Sequence, residues 1–276
     1  MVIDFRKALN ALSDVVQNRP IPLREFDQIY MKIGDLVIQA EFIARKMKNL
    51  DVIFIGDGDA IGLSIVHLKK KKIFTDSPSH ILVLDFDERI VNSINKFAYN
   101  NKLSKKINAI LYNVCDPLPS SYRHSRDGFY TNPPWGASNK GQSVTAFIQR
   151  GMEAIKPKGL GAIVIADDEE LDWTNQVLFN TQDMVIKSGF IVSEMIPGLH
   201  KYHLDDDPDL TSCCILVRNV SCKKQIVSKP LSSEVLNNFY GFNTPLKVKY
   251  VKDLSGLNSG KAPDGSYKLI PLEDKK

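Results

Sequence analysis

Val52-Ile53-Phe54-Ile55-Gly56-Asp57-Gly58-Asp59-Ala60-Ile61-Gly62 decides how the rest of the chain is read. Four apolar residues, mostly β-branched, predict a buried strand. A turn of Gly and Asp follows, and a helix is predicted from about Ala60. In an open α/β sheet, ligands bind beyond the carboxyl ends of strands, at such turns. Gly56 and Gly58 permit positive φ and close backbone approach. Asp57 and Asp59 make the turn acidic, which suits a ligand with hydroxyls or positive charge better than a pyrophosphate. The glycines are spaced G-x-G-x-x-x-G, one residue longer than the dinucleotide fingerprint. Taken alone, the turn reads equally well as an ordinary tight strand-to-helix connection.

Outward from this turn, strands and helices alternate. Helices are predicted near Asp4 to Val16 and Ile33 to Met47, separated by a stiff two-proline segment, Asn18 to Tyr30, that serves as linker or ligand wall. After the turn come a helix to Lys70, a strand Ile81–Leu84 ending in Asp85-Phe86-Asp87, and a helix Glu88–Asn100. Strands follow at Ala109–Val114, Gly128–Thr131 and Ala162–Ala166, with a helix Ser143–Ile155 and a Lys-Pro-Lys-Gly-Leu-Gly turn before the last. A helix Trp173–Ser188 leads to strands Phe190–Ile196 and Ser212–Arg218, which lack an intervening helix and are expected to pair antiparallel. The pattern predicts a mostly parallel sheet with a terminal antiparallel pair, helices on both faces and a small N-terminal helical extension. The expected division is 1–49, 50–219 and 220–276. The last part is polar and expected to be loosely attached, with one short helix at Ser232–Phe239.

Composition sets limits. With 43% hydrophobic and 25% charged residues among 276, this is ordinary globular material. A net charge of +4, partly from Lys69–Lys72 and Lys223-Lys224, is too small to predict nucleic-acid binding, and the lysine runs read as solvated helix ends. No apolar run approaches the roughly 18 residues of a membrane span. Residues 1–10 lack a signal-peptide core, so a cytoplasmic location is expected. Cys115, Cys213, Cys214 and Cys222 form no C-x-x-C pair and read as buried thiols.

The chemistry collects by position. Asp57, Asp59, Asp85, Asp87, Asp116, Asn132, Asp167 and Asp168 all fall at predicted carboxyl ends of strands and would crowd one sheet edge. Any one of them is also a common turn residue or helix cap. Many carboxylates together raise one another's pKa, and a cationic ligand or a metal would relieve that. The lack of a nearby His or Cys set points away from zinc, and no metal is expected, although an all-oxygen magnesium site stays open. Asp85 stands where an acid at the end of the second strand accepts from a ribose. A positively charged nucleoside fits better than NAD.

These residues carry a family resemblance. A strand, a Gly-Asp turn, a strand ending in an acid, a strand followed by Asp116, then Asn132-Pro133-Pro134-Trp135 resembles the Rossmann-like, methyltransferase-fold transferases that bind S-adenosylmethionine. Within that group the chain resembles the branched-chain polyamine synthases, which are N4-bis(aminopropyl)spermidine synthases. The shared residues are Arg19-Pro20, Glu25-Phe26-Asp27-Gln28, Gly56-Asp57-Gly58-Asp59, Val83–Arg89, Asp116-Pro117-Leu118-Pro119 and the Pro-Pro after the fourth strand. The resemblance implies that Gly56 and Gly58 lie under the sulfonium end, Asp85 binds the ribose and Asp116 the adenine. Asp87 and Pro133 would stand beside them as donor-contacting residues. That family carries Gly-Asp-Asp-Asp where Gly58 replaces the middle acid, and Asp-Pro-Pro where Asn132 stands here. It also has a longer N-terminal extension, resembling a winged helix.

Two activities follow. The first is aminopropyl transfer from decarboxylated S-adenosylmethionine to an amine of a small-molecule polyamine. Asp57 or Asp59 would accept the proton, and Asp27, Gln28, Asp167, Asp168, Glu169 and Asp205–Asp207 would hold the remaining cations. The acidic loops read equally well as solvated surface. The second is N-methylation with S-adenosylmethionine, because Asn132-Pro133-Pro134-Trp135 resembles the motif of amino-methyltransferases acting on adenine, cytosine or glutamine. There the Asn side chain and first Pro carbonyl accept from the target NH2 and the aromatic stacks on it. Asn132 would equally accept from a polyamine amine, and Trp135 would cover an alkylammonium. A nucleoside-binding protein without turnover is a third reading, and a homodimer stays open.

Overall fold

The computed structural model describes residues 3–220, 227–255 and 266–272, so Cys222 and Lys223-Lys224 lie outside the described residues. The chain divides into two compact units, Met1–Asn113 with Lys247–Lys276, and Val114–Leu246.

The first unit opens with helix α1 (Phe5–Asn18), whose N-cap Asp4 accepts from the Lys7 N–H. Helix α2 (Ile33–Lys46) leads into strand β1 (Asp51–Ile55). Helix α3 (Ile61–Lys70), strand β2 (His80–Asp85), helix α4 (Glu88–Asn100) and strand β3 (Ile107–Leu111) follow. The three strands lie in the order β3-β2-β1, all parallel, with Ile53 opposite Leu82 and Leu82 opposite Asn108. Every residue from Val52 to Ile55 and from Ile81 to Leu84 is buried, as expected of strands covered on two faces. Lys69 and Lys70 end α3, where a cation complements the helix carbonyls, and their ammonium groups donate to Thr75 C=O and Asn101 C=O.

Strands β8 (Val248–Asp253) and β9 (Tyr267–Pro271) also belong to this unit and pair antiparallel. This corrects the expectation of a loosely attached tail. Lys252 donates to Glu88, the Asp253 N–H donates to Glu88 Oε2 at 2.8 Å, and Asn92 donates to Asp253 at 2.9 Å. Val251 is fully buried.

The second unit holds strand β4 (Arg126–Thr131), helix α5 (Gln142–Ala154), strand β5 (Ile155–Ala166) and helix α6 (Asp172–Lys187). Strands β6 (Phe190–Lys201) and β7 (Thr211–Asn219) and the short helix α7 (Ser233–Asn237) complete it. Its strand order is β4-β5-β7-β6. The first pair is parallel; β7 runs antiparallel to β6, as the missing helix predicts, and also antiparallel to β5. β5 begins seven residues earlier than its apolar run. Lys156-Pro157-Lys158-Gly159 was expected to turn but extends the strand, with Lys158 left-handed at φ 66° and a register shift opposite Arg126–Gly128. Gly151 and Gly161 are required by Phe129, whose ring would lie 2.3 Å from a Cβ at either position.

Candidate active site

In the first unit, β1 delivers the chain to Gly56 at φ 77°. Gly58 is not left-handed, contrary to expectation; the second left-handed residue of the turn is Ala60, at φ 60° and ψ 37°. That costs an L residue on the order of 1 kcal/mol and persists only where surroundings fix it. Here the Ala60 N–H donates to Asp57 C=O at 2.9 Å.

Asp57 is buried beneath the turn and closes the start of α3. Its Oδ1 accepts from the Ile61 N–H at 2.8 Å and its Oδ2 from the Gly62 N–H at 2.9 Å. A Cβ at Gly62 would stand 2.9 Å from Oδ2, so glycine lets the carboxyl approach. Burial holds the Asp57 carboxyl well above the usual range, opposed by these two N–H groups. Asp59, also buried, accepts from the Met31 N–H at 2.7 Å, and Arg19 Nη1 lies 3.9 Å from the same oxygen. The guanidinium also donates to Asp59 C=O at 3.3 Å and stacks 4.4 Å over the Tyr30 ring. Tyr30 in turn donates to Pro20 C=O at 2.9 Å. The two-proline segment therefore packs against the Gly-Asp turn.

Asp85 ends β2 and binds both neighbouring turns. One carboxyl oxygen accepts from the Asp57 N–H at 3.1 Å and the other from the Asp87 N–H at 3.0 Å. Burial, then the charge of Asp87, pushes its pKa up to about 7. Asp87 caps α4, accepting from the Arg89 N–H, and is clamped by Arg89 Nε at 3.0 Å and Nη2 at 2.6 Å. Gln28 Nε2 donates at 3.0 Å to Asp87 Oδ2, the oxygen that Arg89 Nη2 also contacts. Four of the expected acids thus meet in one buried group together with Gln28. Asp27 is an exposed, left-handed residue (φ 56°) ending a 3-10 turn, Arg24–Phe26. Sequence reasoning assigned no role to Arg19, Tyr30 or Arg89, although Arg19-Pro20 and Arg89 stood within the quoted shared stretches.

In the second unit, Asn132 and Pro133 follow β4, and Gly136 turns the chain at φ 71°. A Cβ at Gly136 would meet Asn139 Oδ1 at 2.2 Å, so the turn after Trp135 requires glycine. Trp135 packs edge-on against Tyr202 at 4.9 Å. Tyr202 and His200 both reach Ser212 Oγ at 2.8 Å, and burial pushes the His200 pKa down to about 3, leaving a neutral imidazole. This trio behind Trp135 was also missed; the signal was the period-2 spacing of His200 and Tyr202 at the end of a strand. Asp116 lies five residues beyond β3, half-buried, since the third strand ends at Leu111, not Val114. Asp167 follows β5 directly and is held to β6 and β7. Its Oδ2 accepts from the Gly198 N–H at 2.8 Å and its C=O from the Thr211 hydroxyl. Asp168 accepts from the Glu170 N–H at 3.0 Å, and Glu169 is exposed. Among the described residues, no group of three or more His, Cys, Asp or Glu is placed to hold a metal ion. Nor is any helix long and apolar enough to cross a membrane.

Residues 7–258 match the model of the branched-chain polyamine synthase A C-terminal domain. The chain belongs to that family. An N(4)-bis(aminopropyl)spermidine synthase from Methanocaldococcus jannaschii is 28% identical over 155 residues, 55% of this chain and 41% of the relative. One from Thermococcus kodakarensis is 25% identical over 209 residues, 72% of this chain and 53% of the relative. The chain spans about half the length of the curated relatives it matches. Among solved structures, it resembles a branched-chain polyamine synthase mutein from Thermus thermophilus in complex with N4-aminopropylspermidine and 5′-methylthioadenosine. The TM-score is 0.68 at 19% identity, over 84% of this chain and 69% of that one. A putative RNA methyltransferase from Pyrococcus horikoshii superposes with a TM-score of 0.56 at 14% identity, over 79% of this chain and 98% of that one. The fold is the Rossmann-like methyltransferase fold of the family.

Proposed function

We propose that the chain transfers an aminopropyl group from decarboxylated S-adenosylmethionine to an amine nitrogen of a polyamine. The carrying observation is the buried carboxyl group of Asp57, Asp59, Asp85 and Asp87 around one Gly-Asp turn, in a chain of the branched-chain polyamine synthase family. The acceptor nitrogen attacks the carbon beside the sulfonium. The C–N bond forms, the C–S bond breaks, and sulfur keeps the electron pair as 5′-methylthioadenosine leaves. The ammonium so formed gives its proton to Asp59. Asp57, with both oxygens engaged by the start of α3, shapes the turn. A donor without a carboxylate suits this acidic turn.

Gly56 and Gly58 line the sulfonium end, and Asp85 accepts from the ribose, with Asp87 fixing the turn below it. A carboxylate carries about four lone-pair sites, so the two N–H groups on Asp85 leave capacity for a ribose hydroxyl. Asp116 contacts the adenine, with Pro133 beside the donor. Asn132 accepts from the reacting amine and Trp135 covers an alkylammonium. Gln28, Asp27, Asp167, Asp168 and Glu169 serve the remaining cations of the acceptor. N-methylation is the second reading, favoured by Asn132-Pro133-Pro134-Trp135 standing where the family carries Asp-Pro-Pro.

Mass spectrometry of products from mixed polyamines, with decarboxylated and carboxylated donor in parallel, tests both. Products heavier by an aminopropyl group, only with the decarboxylated donor, are expected. Methylated products would establish the second reading instead.

A further inference from the structure

The loop that follows β3 and carries Asp116 is stitched to a segment arriving more than 100 residues later. Ser228 Oγ accepts from the Leu118 N–H at 2.7 Å and donates to Glu153 Oε2 at 2.6 Å. The Leu231 N–H donates to Cys115 C=O at 3.1 Å. Arg150, from α5, donates to Val114 C=O at 2.9 Å, to Lys229 C=O at 2.8 Å and to both Glu153 oxygens. Arg150 and Glu153 are fully buried and Ser228 nearly so. The backbone on either side of Asp116 is therefore pinned at three points, Val114, Cys115 and Leu118.

A buried Arg–Glu pair is weak evidence for stability, because desolvation offsets the attraction. What this pair does have is direction: apart from Gln149 Nε2, which donates to Glu153 Oε1 at 3.0 Å, its contacts beyond the pair go to the loop or to the segment that straps it. Ser228 is the hub, since a single hydroxyl joins Leu118 to Glu153. A loop contacting a base needs its backbone held before the ligand arrives, or ordering it subtracts from affinity.

We infer that Ser228 and Arg150 are positioning residues for nucleoside recognition, strapping the Asp116 loop in its binding geometry. The inference rests on the reading of Asp116 as an adenine contact. Calorimetric titration with 5′-methylthioadenosine tests it on wild type, Ser228→Ala, Asp116→Ala, the double variant and Ser228→Thr, with unfolding midpoints measured alongside. Ser228→Ala is expected to weaken binding about five- to tenfold, the size of one or two lost hydrogen bonds. Ser228→Thr, which keeps the hydroxyl, restores it. The double variant binds like Asp116→Ala alone, because Ser228 acts through that loop. A lowered midpoint with unchanged affinity in Ser228→Ala, or losses that add in full, would overturn the inference. Normal binding by Asp116→Ala overturns the adenine reading, and the inference with it. Weak binding by Asp116→Ala beside normal binding by Ser228→Ala overturns the inference alone. Should Ser228→Ala not fold, Ser228→Cys, of similar shape and weaker hydrogen bonding, makes the same comparison.

Discussion

Replacing Asp85 with Asn isolates the titration at the centre of the donor turn. The carboxyl is 6% exposed and its pKa stands at about 7, against an ordinary 3.8. A shift of three pKa units is worth on the order of 4 kcal/mol. The sign follows from proton binding. Between pH 4 and 7 the folded state holds the proton and the unfolded state has released it, so this group's contribution falls as pH rises through that window. Asn removes the titration. It also loses an acceptor: the amide keeps one of the two backbone N–H partners, Asp57 or Asp87, and leaves the other buried and unmatched. That costs about 1–3 kcal/mol at every pH. The absolute stability difference therefore mixes two effects of opposite sign, but its slope with pH contains only the titration. Urea unfolding of both proteins at pH 5, 6, 7 and 8 reads it. Asp85→Asn should gain on the wild type by about 1.4 kcal/mol per pH unit up to neutrality, then level off. A difference constant from pH 5 to 8 would refute the assignment of a raised pKa. The proposed ribose contact of Asp85 adds a binding prediction: affinity for 5′-methylthioadenosine should climb as pH passes through about 7 in wild type and stay flat in the variant.

The His200 imidazole, held down to about 3 by burial, works in the other direction. Stability should fall as pH drops below 6.5, by about 2 kcal/mol at pH 5, and His200→Gln should flatten that limb in urea titrations. Arg89→Met leaves Asp87 buried and short of its clamp, so a loss of about 3–5 kcal/mol in chemical unfolding is expected; a loss under 1 kcal/mol would mean the α4 cap alone suffices. Trp135→Ala should raise the acceptor KM more than the donor KM, whereas equal rises would assign the indole to packing against Tyr202. Asp59→Ala should abolish transfer and leave the circular dichroism spectrum intact, and normal turnover would remove Asp59 from the chemistry.

What the sequence made legible was whatever local pattern controls. Helix α4 falls on its predicted bounds because Asp87 caps it and Ile90, Val91, Ile94, Phe97 and Ala98 repeat at helical spacing. The acids at the ends of β1 and β2 could be placed together because two short parallel strands deliver them to the same edge. Their partners could not. Arg89 clamps Asp87 from two residues away, but Gln28 and Arg19 arrive from a stiff segment that local pattern leaves open as linker or ligand wall. β5 was cut short because Lys156-Pro157-Lys158-Gly159 carries turn chemistry that pairing with β4 overrides. β8 went unseen because Val248-Lys249-Tyr250-Val251-Lys252-Asp253 buries only Val248 and Val251, and its partners Glu88 and Asn92 stand some 160 residues earlier.

The placement of β8 has a consequence for biosynthesis. The chain leaves its first unit at Asn113 and comes back at Lys247. A ribosome therefore releases α1 through β3 long before the residues that cover α4 exist, and contacts of such span form slowly. During that interval Glu88 and Asn92 lack their eventual partners, and a nascent chain stopped near residue 246 would carry α4 without the strand that packs on it. Ribosome-arrested chains should stay protease-sensitive around α4 until translation passes Asp253.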